Sequence, residues 1–239
     1  MSATARSQST SAELEAVLRR AGAVLSTRDG RPVAINFGSA AAELAVCVRT
    51  VGLVDRSDLC TLALEAPLAQ LSALMRRLVG ATVSPGGLVS AGSAWWCGET
   101  ANRVIVVCDP RTALRLAEGL RTDAARHVDV HDRSGELTTI GLLGRNTGQV
   151  LSALGVYGAS GDPRAAKPFA PASVDGIPAQ WLLQSDRRAL VLVGRERAGE
   201  AWLAIERAGR PYGISCVGHE AAARFTLMER LRPATLPFV

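Results

Sequence analysis

Apolar positions recur along the chain with the two periods that distinguish helices from strands. Leucine and methionine fall on one side of a helix between residues 67 and 78, while runs of valine, isoleucine and leucine bounded by Gly, Pro or Asp predict strands. The predicted strands are 51–54, 61–64, 94–97, 103–108, 128–130, 137–142, 177–183 and 189–193. The predicted helices are one that opens at 10–13, then 40–49, 67–78, 110–120, 146–154, 195–208 and 219–231.

The predicted elements occur twice in the same order, and so does a short motif. Asp-Arg-Ser at 55–57 is followed by Thr61, and Asp-Arg-Ser at 132–134 is followed by Thr138. A spacing of about 80 residues is too long for a solenoid and suits two copies of a small unit. The order strand–helix–strand–strand–helix predicts an α+β fold with helices packed on antiparallel or mixed sheets.

The repeat also predicts the domain organisation. We expect a flexible tail over residues 1–10 and a single domain over 11–239, made of two related halves at about 43–122 and 128–231. Fused halves leave a cleft between them, and small ligands favour such clefts. A small-molecule ligand is therefore expected in the cleft between the halves.

Composition narrows the classes of partner. The 239 residues carry a net charge of +5, but Lys167 is the only lysine, aromatics are 4%, and no run of five or more basic residues occurs. Nucleic-acid binding through a charged groove with stacking rings is therefore not expected. No apolar run is long enough for a membrane span, and the polar N-terminus lacks the apolar centre of a secretory signal, so we expect a cytoplasmic protein.

Metal and nucleophile sites receive little support from the cysteines and histidines. The five cysteines are scattered without a C-x-x-C pair, so no metal site is predicted. His127 and His131 share a face of a predicted strand, with no third ligand nearby in the sequence. Cys216 and His219 form the one pair that could act as a thiolate and an imidazole, although a structural role at a helix start competes with that interpretation.

Two segments resemble a known family. Residues 51–59, Val-Gly-Leu-Val-Asp-Arg-Ser-Asp-Leu, are similar to the opening strand of the aminomethyltransferase (glycine cleavage T-protein) folate-binding superfamily, and 213–229 are similar to its closing helix. The resemblance implies a domain with a central opening that holds tetrahydrofolate or a similar ligand. Members include aminomethyltransferases, folate domains of sarcosine and dimethylglycine dehydrogenases, and sarcosine oxidase gamma subunits.

The chain departs from the family where its acids should be. Ser90 and Ala91 stand where the T-protein has an Asp-Asp pair, one member of which is the catalytic carboxylate. The family's pterin-binding glutamate should fall between Gln184 and Arg188, where Asp186 is the only acid. Alanine cannot act as a base. The lost acids and the size are closest to a sarcosine oxidase gamma-type subunit.

These departures favour an accessory subunit that supports a larger flavoprotein, a flavin-dependent amine oxidase or demethylase. Two alternatives stay open: a tetrahydrofolate-dependent one-carbon transferase, and the same scaffold recruited to another small-molecule reaction. Whether the chain catalyses a reaction is not decided by its sequence.

Six residues are the candidates for ligand contact: Asp58, Trp95, Trp96, Glu99, Arg103 and Asp186. Trp95 and Trp96 are adjacent on a predicted strand, so we expect one in the core and the other facing the cleft, where it can stack on a flat ligand. The resemblance places Glu99 and Arg103 toward the ligand, with a solvated hairpin tip as the competing interpretation for Glu99. It places Asp58 at the position of a family histidine, where a turn or salt bridge is the competing interpretation.

Overall fold

The structure, a computed structural model, describes residues 13–120, 127–158 and 161–231. Its strands are β1 Val24–Arg28, β2 Arg31–Asn36, β3 Val51–Asp55, β4 Cys60–Glu65, β5 Leu88–Ala91, β6 Ala94–Thr100, β7 Arg103–Cys108, β8 Asp129–Asp132, β9 Leu137–Leu143, β10 Phe169–Pro171, β11 Ala179–Ser185, β12 Arg188–Gly194 and β13 Ile214–Cys216. Its α-helices are α1 at 13–20, α2 Ala40–Arg49, α3 Leu68–Val79, α4 Pro110–Leu120, α5 Thr147–Ala153, α6 Ala198–Gly209 and α7 His219–Leu231. Short 3₁₀ turns precede and follow α6.

Two sheets face each other and share one strand order. The six-stranded sheet runs β10-β11-β12-β9-β3-β13, and the five-stranded sheet runs β5-β6-β7-β4-β8. Neighbouring strands are antiparallel except β13, which pairs parallel with β3. The α+β prediction, with helices on antiparallel and mixed sheets, is therefore confirmed.

The order of the five-stranded sheet corresponds, strand for strand, to β10-β11-β12-β9-β3 of the other sheet. The first strand of each predicted half belongs to the sheet of the other half: β3 pairs with β9, and β8 pairs with β4. The division into related halves remains a prediction that this correspondence supports. The predicted boundary near residue 123 and the predicted tail at 1–10 lie outside the described residues.

The repeated Asp-Arg-Ser motif forms the two connections at which the chain crosses between the sheets. The first aspartate accepts a hydrogen bond from the Ser57 backbone N–H at 2.9 Å, and Asp132 does the same for Ser134 at 2.9 Å. Each serine then contacts the opposite copy. Ser57 Oγ lies 2.8 Å from Thr138 Oγ1, and Ser134 Oγ accepts from the Thr61 N–H at 2.9 Å. The repeated residues therefore join the two crossings reciprocally.

Helices cover the outer faces of the sheets, and apolar side chains fill the space between the sheets. The six-stranded sheet packs on α1, α5 and α6 through a core that includes Trp181 and Trp202. The five-stranded sheet packs on α3 and α4. Between the sheets lies a smaller apolar cluster that includes Ile105, Leu182 and Leu192. Helices α2 and α7 cover β3 and the adjacent part of β9 through Phe225 and its neighbours.

The long predicted elements are confirmed, while short strands were missed. Helices 40–49 and 219–231 have the predicted bounds. Only a turn at 29–32 was predicted where β1 and β2 form a hairpin, β5 was missed, and β10 lies inside the predicted loop 160–173. None of the helices in the described ranges is both long and apolar enough to cross a membrane.

Candidate functional site

The cleft between the sheets is apolar at its centre and polar at both ends. Side chains at alternate positions of β11 point to the same face, so Gln180 faces the five-stranded sheet as Leu182 does. The register of β11 shifts between Leu183 and Ser185, so this alternation ends before Gln184. Leu182 is fully buried in the apolar cluster between the sheets. Gln180 pairs with Leu192, and Arg188 lies on the same face of β12 at its other end, so Gln180 and Arg188 mark opposite ends of the cleft.

One end carries a polar group that we call the Arg103 cluster: Glu65, Glu99, Arg103 and Gln180. Arg103 donates to Glu65 at 2.8 Å and to Glu99 at 3.2 Å. Glu99 also accepts a hydrogen bond from Gln180, which joins β6 to β11. Hydrogen bonding to Glu99 and the charge of Glu65 raise the pKa of Arg103 above its usual range. The charged side chains of this cluster are paired with one another, and the hydrogen bond from Gln180 to Glu99 links the two sheets.

The other end holds a more deeply buried group, the Arg56 cluster: Arg56, Asp58, Arg188 and His219. Arg56 donates to both carboxylate oxygens of Asp58, at 2.8 and 3.1 Å. Burial alone would raise the pKa of Asp58, but the charge and hydrogen bonds of Arg56 outweigh it, and the pKa is lowered. Asp58 is therefore a paired carboxylate that holds Arg56 in place.

His219, at the start of α7, lies against the same carboxylate. Its Nδ1 is 3.8 Å from Asp58 Oδ2, too far for a hydrogen bond. Burial lowers the pKa of His219; the nearby positive charges of Arg56 and Arg28 lower it further, although Asp58 opposes them. The imidazole is therefore neutral at pH 7 and has a ring nitrogen available for a hydrogen bond.

Two buried nitrogen atoms of the Arg56 cluster have no hydrogen-bond partner among the described residues: Arg188 Nε and His219 Nδ1. Burial, helped by the charges of Arg230 and Arg56, lowers the pKa of Arg188, yet an arginine stays protonated. Buried donors without acceptors cost free energy, and such groups in native proteins call for an explanation. The cluster is suited to a ligand or partner group that carries acceptor oxygens or negative charge.

The acids of the resembling family are not replaced at this end. Ala91 contributes only its carbonyl oxygen, which accepts from the Trp96 indole N–H at 3.2 Å. Asp186 is exposed in the turn between β11 and β12, where its charge adds to burial in raising the pKa of Tyr157. Neither Ala91 nor Gln184 offers a carboxylate to accept a proton from a bound amine.

The two adjacent tryptophans point to opposite faces of β6, as predicted. Trp96 is 3% exposed and packs among α3 and α4, so a contact between Trp96 and a ligand in the cleft would require that core to open. Trp95 is half-buried beside the apolar cluster between the sheets. Of the two, only Trp95 faces the cleft, and its stacking on a ligand remains a prediction.

The pairing of Cys216 with His219 as a nucleophile is wrong. Burial raises the pKa of Cys216 to about 11, and its side chain packs in the core under α6, whereas His219 faces Asp58. His127 and His131 are both exposed. Within the described ranges, no group of three or more His, Cys, Asp or Glu residues is arranged to hold a metal ion.

Sequence reasoning named Asp58 but missed Arg56, Arg188 and His219 as its neighbours. Arg56 belongs to the repeated Asp-Arg-Ser motif, which was the available signal. Arg188 and His219 come from a strand and a helix more than a hundred residues further on, and only the fold brings them beside Asp58.

No family model and no curated protein matches this sequence. Solved structures do match. The aminomethyltransferase T of the glycine cleavage system of Bartonella henselae superposes with a TM-score of 0.71 and 14% identity, over 92% of this chain and 63% of that chain. The chain thus spans less than two thirds of that enzyme's length.

A second match is to one chain of the heterotetrameric sarcosine oxidase from Corynebacterium sp. U-96, solved in complex with pyrrole 2-carboxylate. The TM-score is 0.53 and the identity 18%, over 74% of this chain and 93% of that one. Both matches agree with the family that the motifs at 51–59 and 213–229 resemble. The protein has the aminomethyltransferase-like fold, as its sequence predicts.

Proposed function

We propose that the protein is an accessory subunit of a larger flavin-dependent amine oxidase or demethylase. The observation that carries the proposal is the match to a chain of a heterotetrameric oxidase, almost the whole of which this fold covers. The missing carboxylates at Ala91 and Gln184 agree with it, because the cleft then has no base at the positions where the T-protein carries its acids.

An exposed apolar stripe on α7 is the surface that we propose for the flavoprotein. Ala221, Ala222 and Phe225 bury one side of α7 against the six-stranded sheet. Leu227, Met228 and Leu231 are 58%, 46% and 75% exposed on the same helix. Subunit interfaces are rich in large apolar side chains, and an exposed apolar stripe is costly in a protein that works alone.

The test is co-purification from the native host with an affinity tag on this chain. The expected result is a complex whose second component is a flavoprotein, identified by its flavin absorbance and by mass spectrometry. The double change Leu227→Glu and Leu231→Glu should release that component, because two charges would be buried in an apolar interface. Leu114→Glu is the matched control, since Leu114 is 61% exposed on α4. Recovery of the chain alone, without a flavoprotein, would refute the proposal.

The two buried nitrogens of the Arg56 cluster that lack a partner among the described residues favour a second candidate, a tetrahydrofolate-dependent one-carbon transferase. Arg188 and His219 would suit the carboxylates or the ring carbonyl of a folate. They fit only that part of the molecule, because no carboxylate stands at Ala91 or Gln184 to accept from the pterin N–H groups. Tetrahydrofolate would supply the one-carbon carrier, and the chain's own residues would hold its acceptor oxygens.

Calorimetry with tetrahydrofolate separates the two candidates. Binding tighter than about 100 μM, equivalent to about −5.5 kcal/mol, together with loss of affinity in Arg188→Gln, would favour the transferase. Absence of binding by the chain alone would leave the accessory subunit. If both this test and the co-purification fail, the remaining alternative is a scaffold recruited to another small-molecule reaction.

A further inference from the structure

A pocket of about 370 Å³ lies at the cleft end opposite the Arg56 cluster. Its walls are mostly apolar: Leu137, Pro171, Ile177, Pro178, Ala179 and Leu192. Leu192 also belongs to the apolar cluster between the sheets, and Gln180, which lines the pocket, carries the hydrogen bond to Glu99. A pocket of this size, lined by apolar side chains with a few polar groups, is typical of a small-molecule site.

Two arginines on the wall of this pocket are only partly engaged. Arg133 directs its Nε and Nη2 to a single oxygen of Glu136, at 3.0 and 2.8 Å. Arg197 reaches Glu200 through Nη2 alone, at 2.6 Å. The side chains of Glu136 and Glu200 are 64% and 57% exposed. Such exposed ion pairs contribute little, so a ligand carboxylate can take their place.

Helix α6 adds positive potential at the same wall. The helix begins beside the pocket, and its N-cap residue is Arg197, whose side chain cannot accept from the first N–H groups. Those groups carry the partial positive charge of the helix dipole. Glu196 also lines the pocket, so the charged lining among the described residues is two arginines and one acid. The balance favours a single negative charge on the ligand.

We propose that this pocket binds a small monocarboxylate with an apolar body, such as an arylalkanoate. The apolar part would lie against Ile177, Pro178 and Leu192, and the carboxylate would face Arg133 and Arg197. Guanidinium groups bind carboxylates with short, charge-assisted hydrogen bonds, which gives the site its preference for an anion. The inference does not rest on the proposed function, because no residue of the Arg56 cluster lines this pocket.

The test is a titration of the ¹⁵N-labelled full chain with phenylacetate, followed by two-dimensional NMR. Phenylacetamide is the neutral control, since it has the same ring and lacks the charge. We expect phenylacetate to bind with a dissociation constant of about 1 mM or lower and to shift the amides around Ile177 and Leu192. The amide analogue, and the double variant Arg133→Gln with Arg197→Gln, should each bind at least about tenfold more weakly.

Two further variants locate the binding. Arg207→Gln is the matched control, because Arg207 is an exposed arginine of α6 that pairs with Asp175, and neither residue lines the pocket; it should leave the affinity unchanged. Arg188→Gln reports on the Arg56 cluster. No shifts at about 10 mM phenylacetate, equal affinity for the amide, or binding that Arg188→Gln removes and the double variant does not, would each overturn the proposal.

Discussion

The substitution Asp55→Asn should change how the stability of the protein depends on pH. Asp55 is 1% exposed at the first crossing between the sheets. Its Oδ1 accepts from the N–H of Ser57 at 2.9 Å and from its hydroxyl at 2.5 Å. Burial, the largest cause, raises the pKa of Asp55 to about 6, although the hydrogen bonds from Ser57 act in the opposite direction. An asparagine keeps the accepting oxygen and cannot ionise.

The sign follows from proton linkage. An unfolded aspartate has a pKa of about 3.9, so between about pH 4 and pH 6 the folded state binds more protons than the unfolded state. Stability contributed by this group is therefore present at low pH and is lost as the pH rises through about 6. A shift of roughly two pKa units corresponds to about 3 kcal/mol, of which about half is lost between pH 5 and pH 8.

The assay is urea unfolding of wild type and variant over a series of pH values. The difference in the free energy of unfolding should grow with pH, until Asp55→Asn is the more stable protein by up to about 3 kcal/mol above about pH 7. Asp132→Asn is the matched control. Asp132 makes the same turn with Ser134 at the second crossing, but it is exposed, so its substitution should not stabilise the protein above about pH 7.

Two results would refute this reasoning. A difference that does not vary with pH would mean that Asp55 does not titrate in the folded protein at a raised pKa. A variant less stable than wild type at about pH 8 would mean that the buried guanidinium of Arg195 requires the negative charge of Asp55.

Two other substitutions test the packing. Thr138→Val should cost about 1 kcal/mol in urea unfolding, because it removes the hydroxyl that meets Ser57 Oγ at 2.8 Å; an unchanged midpoint would argue against that hydrogen bond. Gly98→Ala should cost about 2 to 3 kcal/mol in thermal unfolding, since a Cβ would press into the carbonyl oxygen of Ser84. Gly135→Ala, where a Cβ meets open space, should be nearly neutral, and equal effects of the two would contradict the structure.

The sequence predicted those elements whose period could be read along many residues. Helix α3 has a clear apolar stripe, from which its position could be predicted. Helix α7 begins after a glycine at 218 and carries an acid in its first turn, and these features indicated where it starts. β5 and β10 have only four and three residues, too few for a period to show. β10 exists because β11 and the 84–87 turn accept and donate its backbone hydrogen bonds, and no local pattern records that.

The site was predicted less well, for a different reason. The family resemblance named Asp58 and Arg103 as candidates, and the structure places each in a polar cluster at one end of the cleft, while their contact with a ligand stays a prediction. Whether Trp95 or Trp96 faces the cleft could not be decided from alternation, because a strand with helices on one face and a sheet on the other is apolar on both. Arg188 and His219 reach the cleft through long-range pairing of β12 and β13, which a single sequence does not reveal.

The C-terminal elements make the two ends of the cleft differ. Arg56 and Arg133 occupy the same place in the repeated motif, one directed to each end. β13 pairs with β3 and α7 brings His219 to Asp58, so the first end is covered: the side chains of Arg56 and Asp58 are 20% and 13% exposed.

No described element covers the second end in that way, and there the side chains of Arg133 and Glu136 are 35% and 64% exposed. Charges interact more strongly where water is excluded. We therefore expect the covered end to discriminate sharply among ligands, and its affinity for a charged ligand to fall little as the salt concentration rises. The open end should bind weakly and respond to ionic strength. Salt dependence measured at both ends, with phenylacetate for the pocket and tetrahydrofolate for the Arg56 cluster, would test this difference directly, and a steeper dependence at the Arg56 cluster would contradict it.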